Sequence, residues 1–257
     1  VTALGVPAVV AGDDMPPRKS FREACGTFFA DGAYLFSFPA RTTPKGASLT
    51  GGVVAGTLLL VTYDDDIRAH VLEPPDSGAA DTLASVFEPL GRSYVEAAAL
   101  GVAWAAARGA GRPDAAATAA TAFEAWLWTF VITSGAKAAF GRAAPTGDAD
   151  ARDFFEGGTI FPSGHTSRSF AIAAVLADRH GPAVAWFAYP IAALVGLATV
   201  QQDTHWASDI LAGAGLGLAI GKGIAHRHPA AATAEPGARA AWRLVPAPGG
   251  AGLRIVF

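Results

Sequence analysis

Apolar positions along the chain fall into blocks of helical length, separated by glycine, proline and clustered carboxylates. Residues 1–20, with Pro7, Gly12, Pro16 and Pro17, show little periodicity and predict an irregular arm. The mixed apolar and aromatic spacing of Phe21 to Phe36 predicts a short helix, and Pro39, Thr42, Thr43, Pro44 and Gly46 predict a loop after it. Gly51 to Val61 is an apolar helix that reaches Asp64, Asp65 and Asp66. Those three carboxylates lack the alternating ligand spacing of a calcium loop, so they predict a cap on a helix from Ile67 to Leu72. A turn at Pro74, Pro75, Asp76 and Gly78 leads to helices over Thr82–Leu90, Tyr94–Arg108 and Ala115–Phe140, and Trp126, Trp128 and Phe130 on the last predict core.

A polar loop from Gly141 to Gly158 precedes a helix running to about Arg179. Gly181 and Pro182 break it, and Ala183–Val200 and Trp206–Ala225 predict two more helices on either side of the polar cluster Gln201 to His205. The stretch 229–240 reads as an alanine and proline linker, and 241–257 as a short β-hairpin laid against the helical body. The fold class expected is therefore mostly α, a bundle of about seven or eight helices over 21–228 with a C-terminal β-hairpin.

Composition sharpens this picture in two respects. Hydrophobic residues are 51% and charged residues 16%, which raises a membrane question. Gly181 to Gln202 is the longest uncharged stretch, enough for a spanning helix of roughly 20 residues, whereas the other apolar blocks are shorter or interrupted by charge. Much of the apolar content is alanine and glycine, which partition weakly into lipid, so the balance predicts a compact helical domain in water. The net charge of −3 gives no basic field for nucleic acid. Cys25, the lone cysteine, supplies neither an intramolecular disulfide nor a zinc cluster. Val1 in place of methionine suggests an N-terminal segment that has been removed or left out, of which an export signal is one kind, and the expected location is extracytoplasmic (periplasmic or secreted) or membrane-associated.

Candidate chemistry sits at two helix starts. In Phe161-Pro162-Ser163-Gly164-His165, Pro162 can occupy the first helical position, Ser163 can cap, and Gly164 lets a ligand approach backbone N–H groups beside the titratable His165. Such an end can hold an anion and hand it a proton. His205 and Asp209, one helical turn apart, share a face, where the carboxylate can accept the Nδ1 proton and leave Nε2 as base or nucleophile.

Lys137, then Pro162-Ser163-Gly164-His165, then His205-Trp206-Ala207-Ser208-Asp209, in that order, resembles the type 2 phosphatidic acid phosphatase (PAP2) superfamily, which includes bacterial acid phosphatases and vanadium haloperoxidases. The likeness covers about residues 50–225. It implies a helical bundle in which His205 attacks phosphorus, Asp209 orients it, His165 protonates the leaving oxygen, and Lys137, Ser163 and the Gly164 amide hold phosphate oxygens. It implies no metal or other cofactor; vanadate would need the arginines discussed next. The family's first block ends in arginine-proline where this chain has Ala144-Pro145, and its third block opens on serine-arginine where this chain has Ala198-Thr199. Both phosphate-clamping arginines are thus replaced, and the candidate substitutes are Arg142, Arg152 and Arg168. Asp203, close before His205, disfavours an anion in that position.

The implied function is hydrolysis of a phosphoester or diphosphate, of the lipid or isoprenoid class, in an altered pocket. Two alternatives stand beside it: acid–base chemistry on an uncharged substrate held by Gln201, Gln202 and Thr204, and a non-catalytic protein on an inherited fold. The partners implied are a small-molecule or lipid substrate and a membrane surface.

Overall fold

The computed structural model describes residues 20–72, 78–146, 149–229 and, as backbone, 241–247 and 250–256. The expected arm, apart from Ser20, and the linker over 230–240 lie outside the described residues. The chain is mostly α. In order, the helices are α1 (Phe21–Phe36), α2 (Phe38–Arg41), α3 (Pro44–Val61), α4 (Asp64–Leu72), α5 (Gly78–Phe87), α6 (Ser93–Gly109), α7 (Pro113–Phe140), α8 (Gly164–His180), α9 (Pro182–Gln201) and α10 (Ala207–Arg227). A 3-10 helix, Glu88–Gly91, joins α5 to α6. Strands β1 (Ala241–Ala247) and β2 (Gly250–Val256) pair antiparallel, with Leu244 opposite Leu253.

The boundaries follow local chemistry. Ser20 caps α1 and shares a capping box with Glu23. Thr43 Oγ1 accepts the Gly46 N–H at 3.1 Å and Pro44 takes the first helical position, so α3 starts at Pro44 rather than at Gly51. Gly141 closes α7 in the left-handed region (φ 51°). Ser163 is the cap of α8, which places Pro162 before the helix and not at its first position.

Helix α8 lies at the centre, packed against α7, α9 and α10; α3 and α1 lie on α10, α6 on α7, and α5 on α9. The α8–α10 approach depends on small residues. A Cβ on Gly217 would fall far inside van der Waals contact distance of the Ser167 carbonyl oxygen, and one on Gly221 would lie 2.5 Å from the Ala171 oxygen. Leu100, Trp126, Trp128, Val175, Ile220 and Ile224 form the apolar core beside this seam.

Three expectations change. Asp64 is no cap: it lies within α4, 1% exposed, and bonds across the bundle. Phe130 is 41% exposed and belongs to the outer surface, unlike Trp126 and Trp128. Finally, among the described residues not one but four helices, α3, α7, α9 and α10, are long and apolar enough to cross a membrane. The early start of α3 supplies the length that the Gly51–Val61 block lacked, and only 6% of that helix is buried inside the bundle. Leu58, Leu59, Trp186, Phe187 and Leu197 stand exposed on α3 and α9, an outer face that favours lipid contact over a compact domain in water.

Gly217→Ala is expected to lower stability by about 1–3 kcal/mol, the usual range for overpacking. Gly135→Ala, where an added Cβ meets nothing within 4 Å, is the control and should change it by less than about 1 kcal/mol. Thermal unfolding of both variants in one detergent, followed by circular dichroism, checks this.

Candidate active site

Successive helices run in opposite directions, so the end of α7, the start of α8, the end of α9 and the start of α10 meet at one end of the bundle. The two helix starts are tied directly, since the Ser163 N–H donates to the Asp209 carbonyl at 3.1 Å. Ser163 Oγ accepts from Thr166 N–H (3.4 Å) and Thr166 Oγ1 (3.0 Å), so this fully buried hydroxyl is spent as an acceptor on capping, with its own proton left to give.

His165 follows in the first turn of α8, and His205 stands just before α10. Their ring centroids lie 6.4 Å apart, nearly edge to face at 69°. His205 Nδ1 is 3.1 Å from Asp209 Oδ2, which also accepts the Trp206 N–H at 3.0 Å. This pairing fixes the Nδ1–H tautomer and leaves Nε2 with no hydrogen bond among the described residues.

Two cations stand at the start of α8. A Cβ on Gly164 would lie 2.9 Å from Arg168 Nη1 and 3.6 Å from Lys137 Cε, so only glycine lets both side chains come this close to the helix N-terminus. Lys137 Nζ donates to the Thr159 carbonyl. Arg168 is held from behind: Nε donates to Glu96 Oε2 and Nη2 to the Gly91 carbonyl, each at 2.8 Å, which leaves Nη1 on the Gly164 side. Burial first, then Arg168 and His205, push the His165 imidazole down to about 4, and Glu88 opposes them. His165 is therefore neutral at pH 7, and a dianion beside it is the kind of charge that would favour its protonation.

The three candidate substitute cations have three different places. Arg168 stands at the site. Arg152 is exposed and lies 3.9 Å from Asp150, away from the histidines. Arg142, fully buried, is committed elsewhere: Nη1 donates to Asp209 Oδ1 (2.5 Å) and Ser208 Oγ (2.7 Å), Nη2 to Asp64 Oδ2 (2.8 Å), and Nε to the Ala151 carbonyl (3.0 Å). It cannot swing inward without stranding two buried carboxylates. Of the two positions where the resemblance implies arginine, Thr199 is fully buried with Oγ1 on the Gly196 carbonyl, and Ala144 lies in the loop after α7.

Asp203 does not repel an anion as expected, because Arg68 neutralises it with two hydrogen bonds of 2.7 Å. Sequence reading also missed Asp64, Glu88, Gly91 and Glu96. Gly91 abuts the His165 ring: an added Cβ would lie 2.9 Å from its Cδ2. The spacing of Glu88 and Arg92, one turn apart, was a readable ion-pair signal, but nothing in it points to a histidine 77 positions further on.

Removing Arg142 would leave Asp64 and Asp209 buried without their counter-charge. Arg142→Gln is expected to destabilise the fold by about 3–5 kcal/mol, whereas Arg152→Gln should stay within about 0.5 kcal/mol of the parent in denaturant unfolding.

With this geometry in place, comparison with known proteins is informative. The chain is 32% identical over 94 residues to a lipid A 1-phosphatase from Porphyromonas gingivalis, a match covering 35% of this chain and 19% of that protein. The chain thus spans about a fifth of the length of the curated relative it matches. No solved structure matches. The PAP2 superfamily pattern matches residues 115–232, which hold Lys137, both histidines, Asp209 and all three arginines considered above. That segment, a little under half of the chain, is what this protein has in common with the PAP2 superfamily.

Proposed function

We propose that this chain hydrolyses a phosphate monoester or diphosphate on a lipid-class substrate, through a phosphohistidine on His205. The observation that carries this reading is the convergence of two imidazoles, 6.4 Å apart, on a helix N-terminus flanked by Lys137 and Arg168. His205 Nε2 attacks phosphorus while Asp209 stabilises the charge that develops on the ring. The bond to the leaving oxygen breaks as His165 gives that oxygen a proton. Water then attacks the phosphohistidine, returns a proton to His165 and releases inorganic phosphate. Lys137, Arg168 and the amides opening α8 neutralise the equatorial oxygens.

Arg168 takes over part of the clamp that Ala144 and Thr199 no longer provide. Its free Nη1 beside Gly164 supports this role, and its bonds to Glu96 and Gly91 hold the guanidinium in place without reorganisation. The uncharged-substrate alternative loses support, because Gln201, Gln202 and Thr204 already donate to Asp81, Ala84 and Thr199.

Lipid is favoured as the substrate class by two observations. Helices α3, α7, α9 and α10 suit a bilayer, and the relative from P. gingivalis is a lipid A phosphatase. The protein associates with a membrane through those helices, and the site end of the bundle faces the extracytoplasmic side.

His205→Ala is expected to abolish phosphate release from phosphatidic acid in mixed micelles and from phenyl phosphate in solution. His165→Asn should cost about 10²–10⁴ in kcat, and more for an alkyl than for a nitrophenyl leaving group, which needs less help from an acid. Turnover that survives His205→Ala would overturn the reading. A second expectation concerns Arg168: loss of one charge-assisted hydrogen bond worth about 1.5–3 kcal/mol should lower kcat/KM of Arg168→Lys by roughly 10- to 150-fold.

A further inference from the structure

The 3-10 helix Glu88–Gly91 lies outside the segment that matches the PAP2 pattern, yet it forms one wall of the His165 site. Glu88 is 9% exposed, and its Oε1 lies 3.3 Å from His165 Nε2. That nitrogen is fully buried and has no hydrogen-bond partner among the described residues, and the Glu88 carboxylate is the acidic group at ion-pair distance from it. The other ring nitrogen, Nδ1, has no protein partner among the described residues. Each histidine therefore lies beside a carboxylate, on opposite ring nitrogens: Asp209 is hydrogen-bonded to Nδ1 of His205, and Glu88 lies at ion-pair distance from Nε2 of His165 without a hydrogen bond.

We propose that Glu88 is a positioning residue for His165: its carboxylate takes the Nε2–H side of the ring, so that Nδ1 is the nitrogen that delivers the proton to the leaving oxygen. This rests on the phosphohydrolase reading above. In that step the Nδ1–H bond breaks, the oxygen gains the proton as its bond to phosphorus breaks, and the ring remains as the neutral Nε2–H tautomer facing Glu88. In the second half, Nδ1 recovers a proton from the attacking water.

The electrostatics of the surroundings make such a carboxylate necessary. Burial first, then Arg168 on α8, His205 before α10 and Lys137 on α7, oppose a positive His165. Gly91 and Val195 supply apolar packing on the side of the 3-10 helix and α9. Glu88 is the group that favours the imidazolium, and it is shared: Arg92, half-exposed at the start of α6, donates to both of its oxygens at 2.9–3.2 Å. Arg92 thus draws on the same negative charge that His165 uses, and the two make opposite predictions.

The test is the pH profile of kcat/KM on phenyl phosphate for the full chain in detergent. A general acid must be protonated, so activity falls as pH rises through its pKa. Glu88→Gln removes the charge that favours the imidazolium, and the alkaline limb should move about one unit lower, a loss of roughly tenfold above it that vanishes at low pH. Arg92→Gln frees the carboxylate and should move the limb the other way, and Glu88→Asp should restore most of the parent profile. A uniform loss at every pH, or limbs that stay in place in both Gln variants, would overturn the proposal. Should the parent show no His205-dependent turnover, the phosphohydrolase reading fails by itself. The pairing is then read from the imidazole titration by NMR, with His165 assigned by its loss in His165→Asn: a lower midpoint in Glu88→Gln supports it, and an unmoved midpoint overturns it.

Discussion

A guanidinium with no access to water must be matched by buried negative charge, and in this protein the match connects three distant parts of the chain. Arg142 follows the left-handed glycine that ends α7 and lies between Asp64 of α4 and Asp209 of α10. Ser208 strengthens the knot, donating its N–H to Asp64 Oδ1 at 2.9 Å and its hydroxyl to Asp64 Oδ2. Each carboxylate accepts three hydrogen bonds with both oxygens engaged, the kind of pairing under which a buried ion cluster holds rather than weakens a fold. One oxygen of Asp209 is bound by Arg142 and the other by His205 and the Trp206 N–H, so the orientation of the proposed nucleophile is set by a charge cluster behind it. The pair His205–Asp209 is local in sequence, but its rigidity is not.

The second constraint is the closeness of α8 and α10. Gly213, Gly217 and Gly221 on α10 each face backbone or small side chains of the α8 segment, starting at Ser163. This close approach brings the two helix starts within backbone hydrogen-bonding distance, and it is why residues some forty positions apart share one cavity. Apolar bulk is pushed outward as a result. With glycine and alanine at the seam, the larger side chains of α3 and α9 find their partners outside the bundle, on the face assigned above to lipid.

This explains which parts were legible in the sequence. Two helices bounded by clear breaks were readable almost to the residue, α1 spanning Phe21–Phe36 as expected and α9 differing from Ala183–Val200 by one residue at each end, whereas α5 is Gly78–Phe87 instead of Thr82–Leu90 and α2 lies where a loop was expected. The start of α3 was not readable either, because Thr43 and Pro44 look alike whether they open a loop or cap a helix. Within the site, the histidine pair and Asp209 were visible because their spacing encodes them. Asp64 was misjudged for the opposite reason: three consecutive carboxylates look like a cap, and nothing local distinguishes the one that turns inward to meet an arginine 78 positions away. The same holds for Arg142, which local sequence offered as a mobile cation and tertiary structure shows to be bound on every side.

The residues at the two positions where the resemblance to the PAP2 superfamily implies arginine then have a physical logic. Thr199 sits fully buried, its hydroxyl on its own helix and its carbonyl accepting from Thr204 N–H and His205 N–H, so that position has become part of the scaffold under the His205 loop. A guanidinium there would need burial with no carboxylate of its own, since Asp209 and Asp64 are saturated by Arg142 and Asp203 by Arg68. Positive charge instead enters from the α8 side, where Glu96 gives Arg168 a buried counter-charge outside the cavity and leaves one nitrogen to face it. Under the proposed reading the clamp has moved from the loop after α7 and the end of α9 to the first turns of α8. Charge on that side lies next to His165 and disfavours its protonation, so a site rebuilt in this way needs a carboxylate near that imidazole, a place that Glu88 occupies.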